Sequence, residues 1–332
     1  MTSTPPSETT TRRAVNDVEL DVIEAGDPSD PAIMLLHGFP ESAHSWRHQI
    51  EPLAAAGFHV LAPDQRGYAR SSAPTDVTAY RVDHLAGDVV GLLDATGHAT
   101  ATVVGHDWGA LLLWDLCRLH PDRVDAAIGV SVPYTPWPAP PTELFKAANG
   151  DRFFYILYFQ DVGPAEAELG ADPAETMRLT LWAASAARAG RSLQSELPAA
   201  GNGFLDSMRA GWDVPEGLPA WITAEEFAVY ADQFGHSGFF GPVSWYRNLD
   251  ADHELTKDRP FPNIPTAFIG GTADPVTARS PGYIESMDAL LPDHRASIVL
   301  DGVGHWTQQE DSVGFTAALM DSLRAIDRLP RR

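Results

Sequence analysis

The residues Val103-Val-Gly-His-Asp-Trp-Gly109 follow a short apolar run and precede an apolar helical stretch, Ala110 to Leu119. Gly105-x-Asp107-x-Gly109 has the spacing of a sharp strand-to-helix turn that displays a nucleophile. Two glycines let the backbone pass close to itself while the central residue is held in a strained conformation. The central residue here is aspartate, and no GxSxG occurs in the chain, so a serine esterase lacks its main residue. A carboxylate nucleophile displaces a leaving group from saturated carbon and leaves an alkyl ester on the enzyme. Water must then attack the carboxyl carbon of that ester, which calls for a base and an oxyanion hole.

Both requirements have candidates. His305 lies in Gly302-Val-Gly-His-Trp306, just after the last apolar strand pattern. Asp274 lies in Gly270-Gly-Thr-Ala-Asp274, just after the preceding one. Asp274 would orient His305 and stabilise its imidazolium. The oxyanion donors would be the backbone N–H groups of Trp108 and of Phe39, which sits in His37-Gly-Phe-Pro40. Losing one such donor costs about 2.7–4 kcal/mol of barrier. Taken singly, GxDxG is ordinary turn composition, Asp274 could cap a helix and His305 could be a loop histidine. Together, in this order and each just past an apolar strand, they read as catalytic.

The elements that must position these residues are also legible. Ala32 to Leu36, His59 to Ala62, Ala101 to Val104 and Ala126 to Val132 are short apolar runs, as expected of strands buried on both faces. Val18, Leu20 and Val22 alternate with acidic residues and suit a half-exposed edge strand. Helical spacing lies between the strands, as in Leu85, Val89, Leu92 and Leu93. The expectation is an α/β fold with a mostly parallel sheet flanked by helices. The rhythm breaks at the proline-rich Thr135 to Pro141, turns helical, and resumes at Thr266. The domain reading is a core of two pieces, 1–134 and 251–332, with an inserted helical cap at 135–250. Residues 1–13 are read as disordered, and 189–219 as a loop and lid.

At these residues the chain resembles an epoxide hydrolase of the α/β-hydrolase superfamily, over roughly residues 15 to 325. The order nucleophile, acid, histidine is the order of that superfamily. The matching motifs are His37-Gly-Phe-Pro-Glu-Ser42, Ala62-Pro-Asp-Gln-Arg-Gly-Tyr68, Gly105-His-Asp-Trp-Gly-Ala110 and Gly304-His-Trp-Thr-Gln308. In the insertion, Tyr155-Ile-Leu-Tyr-Phe-Gln160 and Ser244-Trp-Tyr-Arg-Asn248 resemble cap signatures. The resemblance implies hydrolysis of epoxides to vicinal diols, with Tyr155 and Tyr246 giving a proton to the epoxide oxygen. A neutral phenol can do this at neutral pH. Tyr158, one helical turn on, is the alternative to Tyr155. Phe39, Trp108, Trp245 and Trp306 are candidate apolar walls for a small neutral hydrophobic epoxide.

Haloalkane and haloacetate dehalogenases would share the Asp-His-Asp set. A second halide donor is missing at Phe39, and Trp108 replaces the arginine that a haloacetate would want. A remote alternative is a non-catalytic ligand-binding relative, which predicts erosion of the triad, and none is eroded. No metal is expected: His44 and His48 stand at i, i+4 without H-E-x-x-H and read as a solvated face. No cofactor motif is present. The chain has 332 residues and a net charge of −22, which repels phosphates and disfavours nucleic acid or anionic membranes as partners. No apolar stretch approaches 18 residues, so cytoplasmic is the simplest placement. A homodimer is left open. Cys117, the single cysteine, excludes an internal disulfide and reads as a small buried residue.

Overall fold

The computed structural model describes residues 8–188 and 197–330. Among these, eight strands form one sheet: β1 (Thr9–Val15), β2 (Val18–Ala25), β3 (Ala32–Leu36), β4 (His59–Pro63), β5 (Ala101–His106), β6 (Val124–Val130), β7 (Pro265–Gly271) and β8 (Asp293–Leu300). Their spatial order is β1-β2-β4-β3-β5-β6-β7-β8. The β1–β2 and β2–β4 pairs are antiparallel, and the others are parallel.

The first strand corrects the sequence reading in two ways. Thr9 to Arg13, expected to be disordered, belong to β1, and β2 is therefore not the edge. The cause is charge and β-propensity together. Thr9, Thr10 and Thr11 favour extended backbone, and Arg12 and Arg13 pair across the ladder with Glu19, Asp21 and Glu24 of β2. Residues 1–7 lie outside the described residues.

The central strands alternate their side chains between two cores, as a period of two requires. Ile33 and Leu35 face one layer with α1 (Arg47–Ala56) and α15 (Ser312–Ala325). Met34 and Leu36 face the other, with α2 (Val82–Thr96) and α3 (Trp108–Leu119). Ile50, Leu53, Leu319 and Leu323 are wholly buried in the first layer, each contributing about 1.5–3 kcal/mol of hydrophobic stabilisation. Cys117 is buried in the second, and its thiol is pushed up by that burial.

Between β6 and β7 the described chain is helical: α4 (Pro141–Asn149), α5 (Tyr155–Tyr158), α6 (Pro164–Ala171), α7 (Pro173–Ala184), α8 (Phe204–Arg209), α9 (Ala224–Ser237), α10 (Phe240–Arg247) and α11 (Leu249–Thr256). The expected boundary at 250 falls inside α11, so the helical run ends at Thr256. Thr223 and Glu226 form the expected capping box that starts α9. Of the loop expected at 189–219, residues 189–196 lie outside the described residues, and the rest contains the short helix α8. The chain then completes the sheet with α12 (Pro275–Arg279), α13 (Pro281–Leu290) and α14 (Thr307–Glu310) ahead of α15.

His44 and His48 do not lie on a solvated face. Both are half-buried, and Arg47 between them pairs with Glu226 of α9. No cluster of three or more metal-ligating side chains occurs among the described residues. No helix there is long and apolar enough to cross a membrane.

Candidate active site

Asp107 stands at the turn between β5 and α3 with φ 52° and ψ −114°. This conformation is uncommon for a residue with a side chain and marks stored strain. The turn closes only because of its glycines. A Cβ on Gly105 would lie 2.1 Å from Gly109 O, and one on Gly109 would lie 2.2 Å from Leu36 O. The Phe39 loop also needs one, since a Cβ on Gly38 would lie 2.5 Å from the Cβ of Asp107.

The Asp107 carboxylate receives a hydrogen bond from the Phe39 N–H at 2.9 Å. Its other oxygen lies 3.5 Å from His305 Nε2. His305 Nδ1 lies 3.0 Å from Asp274 Oδ1. Asp274 also accepts from Val276 N at 2.8 Å and Thr277 Oγ1 at 2.9 Å. It is thus both the cap of α12 and the partner of His305, so the two readings of this residue hold together. Trp108 is the first residue of α3, and its N–H belongs to the turn that has no intrahelical acceptor.

Electrostatics sharpens this arrangement. Burial alone would push His305 down, but Asp274 and Asp107 overcome it and hold the imidazole well above its ordinary value. Burial opposes ionisation of Asp107, but His305, His106 and the Phe39 N–H hold its carboxyl below the usual aspartate value. Both shifts favour the charged forms, a protonated imidazole facing ionised carboxylates.

Asp107 and His305 open onto a cavity of about 600 Å³, its mouth included. Tyr155 of α5 and Tyr246 of α10 line it, with ring centroids 5.8 Å apart. Burial, then Tyr155 and Asp107, raise the Tyr246 phenol well above its ordinary value, so it stays protonated. Tyr158 lies outside the lining and packs on Phe153 and Phe159, which settles which of the two tyrosines faces the cavity.

Phe39 and Trp306 line this cavity as expected. Trp108 and Trp245 do not, and this corrects the sequence reading. Both line a separate cavity beside it. Trp108 packs edge-on against Tyr246 at 4.6 Å, and Trp245 turns away to donate its indole N–H to Arg66 O.

Several residues escaped the sequence reading. Thr180, Ala184, Phe204, Ser207 and Met208, from α7 and α8, close the far wall of the cavity. Beneath the site, Glu41 is buried and bonds to His106 Nδ1 at 2.6 Å, Gly38 N at 3.0 Å, Gln308 Nε2 at 3.0 Å and Gln309 Nε2 at 2.9 Å. It thereby joins the loops that carry Phe39, Asp107 and His305. The polar neighbours of the three motifs were the available signal, since polar residues inside buried turns need partners.

The α/β-hydrolase fold family matches residues 31–312. An eight-stranded, mostly parallel sheet flanked by helices is the architecture of that class. Within it, the chain is 45% identical over 315 residues to epoxide hydrolase A of Mycobacterium tuberculosis, covering 94% of this chain and 96% of that protein. It superposes on the crystal structure of epoxide hydrolase A from Mycobacterium thermoresistibile with a TM-score of 0.86 and 44% identity, over 97% of this chain and 99% of that one. An epoxide hydrolase from an endophytic Streptomyces gives a TM-score of 0.87 at 34% identity, covering 98% and 97%. This chain belongs to the epoxide hydrolase family, and it is an enzyme.

Proposed function

We propose that the protein hydrolyses a small, neutral, hydrophobic epoxide to a vicinal diol through a hydroxyalkyl ester on Asp107. The observation that carries this reading is the shared cavity. A carboxylate with a histidine 3.5 Å away and two phenols line one space. Asp107 attacks an epoxide carbon and breaks the carbon–oxygen bond. Tyr155 and Tyr246 hold the oxygen and protonate it as it leaves. His305, oriented by Asp274, then takes a proton from water, whose oxygen attacks the ester carbonyl. The intermediate collapses by breaking the bond from the carboxyl carbon to the alkyl oxygen, His305 returns a proton to that oxygen, and the diol leaves. The acid proton of Asp107 then passes to His305, which restores the charged pair. The N–H groups of Phe39 and Trp108 stabilise the oxyanion that forms. The Phe39 N–H already meets Asp107 Oδ1 at 2.9 Å in the resting site. The helical insertion acts as a cap that carries both phenols and keeps bulk water from the ester.

The charge of His305 changes through this cycle. While Asp107 is ionised, His305 is held protonated. Once the ester forms, that negative charge is gone, one carboxylate, Asp274, remains, and the imidazolium gives up its proton, which makes good the one the phenols lost on ring opening. The imidazole then becomes a better base at the stage that needs one.

A parallel assay with an aryl epoxide and a 1-haloalkane tests the reaction class. Diol from the epoxide without halide release is the expected result. Halide release without diol would assign the same triad to dehalogenation.

The phenols have their own test. Tyr246→Phe keeps the ring that packs on Trp108 and Phe39 and removes the proton donor. Epoxide opening, followed in a single turnover, is expected to slow about 10-fold, and about 10²- to 10⁴-fold when Tyr155→Phe is added. Wild-type opening in both single variants would remove the proton-donor role.

A further inference from the structure

The loop that carries His305 is fastened on one side to the sheet and on the other to the helical insertion. On the sheet side, the His305 carbonyl accepts from Ser131 Oγ at 3.1 Å and lies 2.8 Å from His106 Nε2. On the insertion side, the His305 N–H donates to Ala184 O at 3.0 Å, and the Trp306 indole donates to Leu181 O at 2.9 Å. The Tyr230 hydroxyl of α9 donates to Gln309 Oε1 at 3.0 Å.

Glu310 supplies a further tie of a different kind. Its side chain folds back over its own loop. One carboxylate oxygen accepts from the Trp306 N–H at 3.2 Å. The other accepts from the Ala186 N–H, just past α7, at 2.9 Å. A Cβ on Gly304 would lie 2.4 Å from Glu310 Oε1 and 2.3 Å from Ala186 N, so only glycine leaves room for this arrangement. Burial pushes the Glu310 carboxyl up to about 7, against the Ala186, Trp306 and Gly304 N–H groups and the charge of His305. This half-buried carboxylate uses an acceptor on each oxygen, which the amide of glutamine cannot match, since one of its two positions is an NH₂ donor.

We propose that Glu310 is a positioning residue for the catalytic base, locking the peptide that follows His305 to the helical insertion so that the packing of the insertion sets the seat of the imidazole. This rests on the reaction proposed above. Glu310 touches neither substrate nor the reacting atoms. Its effect falls on the step in which His305 acts, ester hydrolysis, and not on attack by Asp107. A shift of the base of about 1 Å is enough to cost about 10²-fold in that step.

The experiment compares the two half-reactions by rapid mixing with an aryl epoxide, chemical quench and intact-mass detection of the ester. In Glu310→Gln one carboxylate oxygen becomes an NH₂ that faces an N–H. Hydrolysis is expected to fall about 10- to 100-fold while ester formation changes less than about 3-fold. Ala186→Pro removes the same bond from the other side. Ser185 before it has φ −75° and ψ 164°, the extended conformation that precedes proline readily. The same selective loss is expected there, and the double variant should be no slower than the slower single one. Equal losses in both half-reactions, or additive losses in the double variant, overturn the positioning role. If wild-type protein forms no ester on Asp107, the covalent reading fails and takes this inference with it. An ester that forms and is hydrolysed at the wild-type rate in both variants overturns this inference alone.

Discussion

Asp107→Ala is expected to lower epoxide turnover by about 10⁴-fold or more, with no covalent adduct detectable by intact mass. The size follows from what is removed. The carboxylate is the group that forms the new bond, and among the described residues no other carboxylate lines the cavity. Asp274, the other acid of the set, is wholly buried, with bonds to His305, Val276 and Thr277. The variant should still fold, because the turn is built by Gly105, Gly109 and Gly38 rather than by the side chain. It also carries an electrostatic signature. His305 loses one of the two carboxylates that raise it, so its titration, followed by NMR, should move to lower pH than in the wild type. Residual turnover within tenfold of wild type would remove Asp107 from the role of nucleophile.

His305→Gln is expected to stop the cycle halfway. Asp107 keeps its Phe39 hydrogen bond and both phenols, so the ester forms, and its hydrolysis slows by about 10²- to 10⁴-fold for want of a base. Mass spectrometry should show a stoichiometric gain equal to the epoxide, located on the peptide that contains Asp107. Unaltered steady-state turnover would sink the assignment of the base. The wild type should show the same tendency as pH falls. Ester formation needs ionised Asp107, whose pKa is lowered, so it persists down to below the ordinary aspartate range. Ester hydrolysis needs neutral His305, which Asp274 pushes up against burial, so it weakens as pH drops through the value of that group in the intermediate. The fraction of enzyme held as ester should therefore rise from pH 8 to pH 5. A constant fraction would contradict the charges assigned to the pair.

Some of this site was legible because its signal is local. Gly105, Asp107 and Gly109 encode a turn within five residues, and the clash of any added Cβ makes that spacing obligatory. The apolar runs at 32–36 and 101–104 are strands because they are short, continuous and bounded by turns. Asp274 and His305 were legible because each immediately follows a strand of a parallel sheet, and such sheets place those positions on one edge.

Other features were not local. β1 looked like a polar tail until Arg12 and Arg13 met the acidic face of β2, and that pairing is set by the register of the hairpin. The choice between Tyr155 and Tyr158 turned on which side of the short helix α5 meets Phe204 and Tyr246 and which meets Phe153. Trp245 looked like a wall of the site but is turned to the Arg66 carbonyl. Glu41 lies inside the motif His37-Gly-Phe-Pro-Glu-Ser42 and Glu310 just past Gly304-His-Trp-Thr-Gln308, but no spacing marks what either side chain holds. They matter because each gathers N–H and amide donors from loops distant in the chain.

The sequence of 332 residues thus determined its fold class and the strand-to-helix turn that carries Asp107 without help from any contact. Those depend on backbone turns and on strand and helix periods, which span a few residues. The tertiary structure alone decided which aromatic rings face the cavity and which buried carboxylates hold the catalytic loops. Those depend on side-chain direction and on hydrogen bonds that join residues 65 to 268 positions apart, as Glu41 joins His106 and Gln309. Such bonds form only where packing excludes water and leaves each buried donor in need of an acceptor.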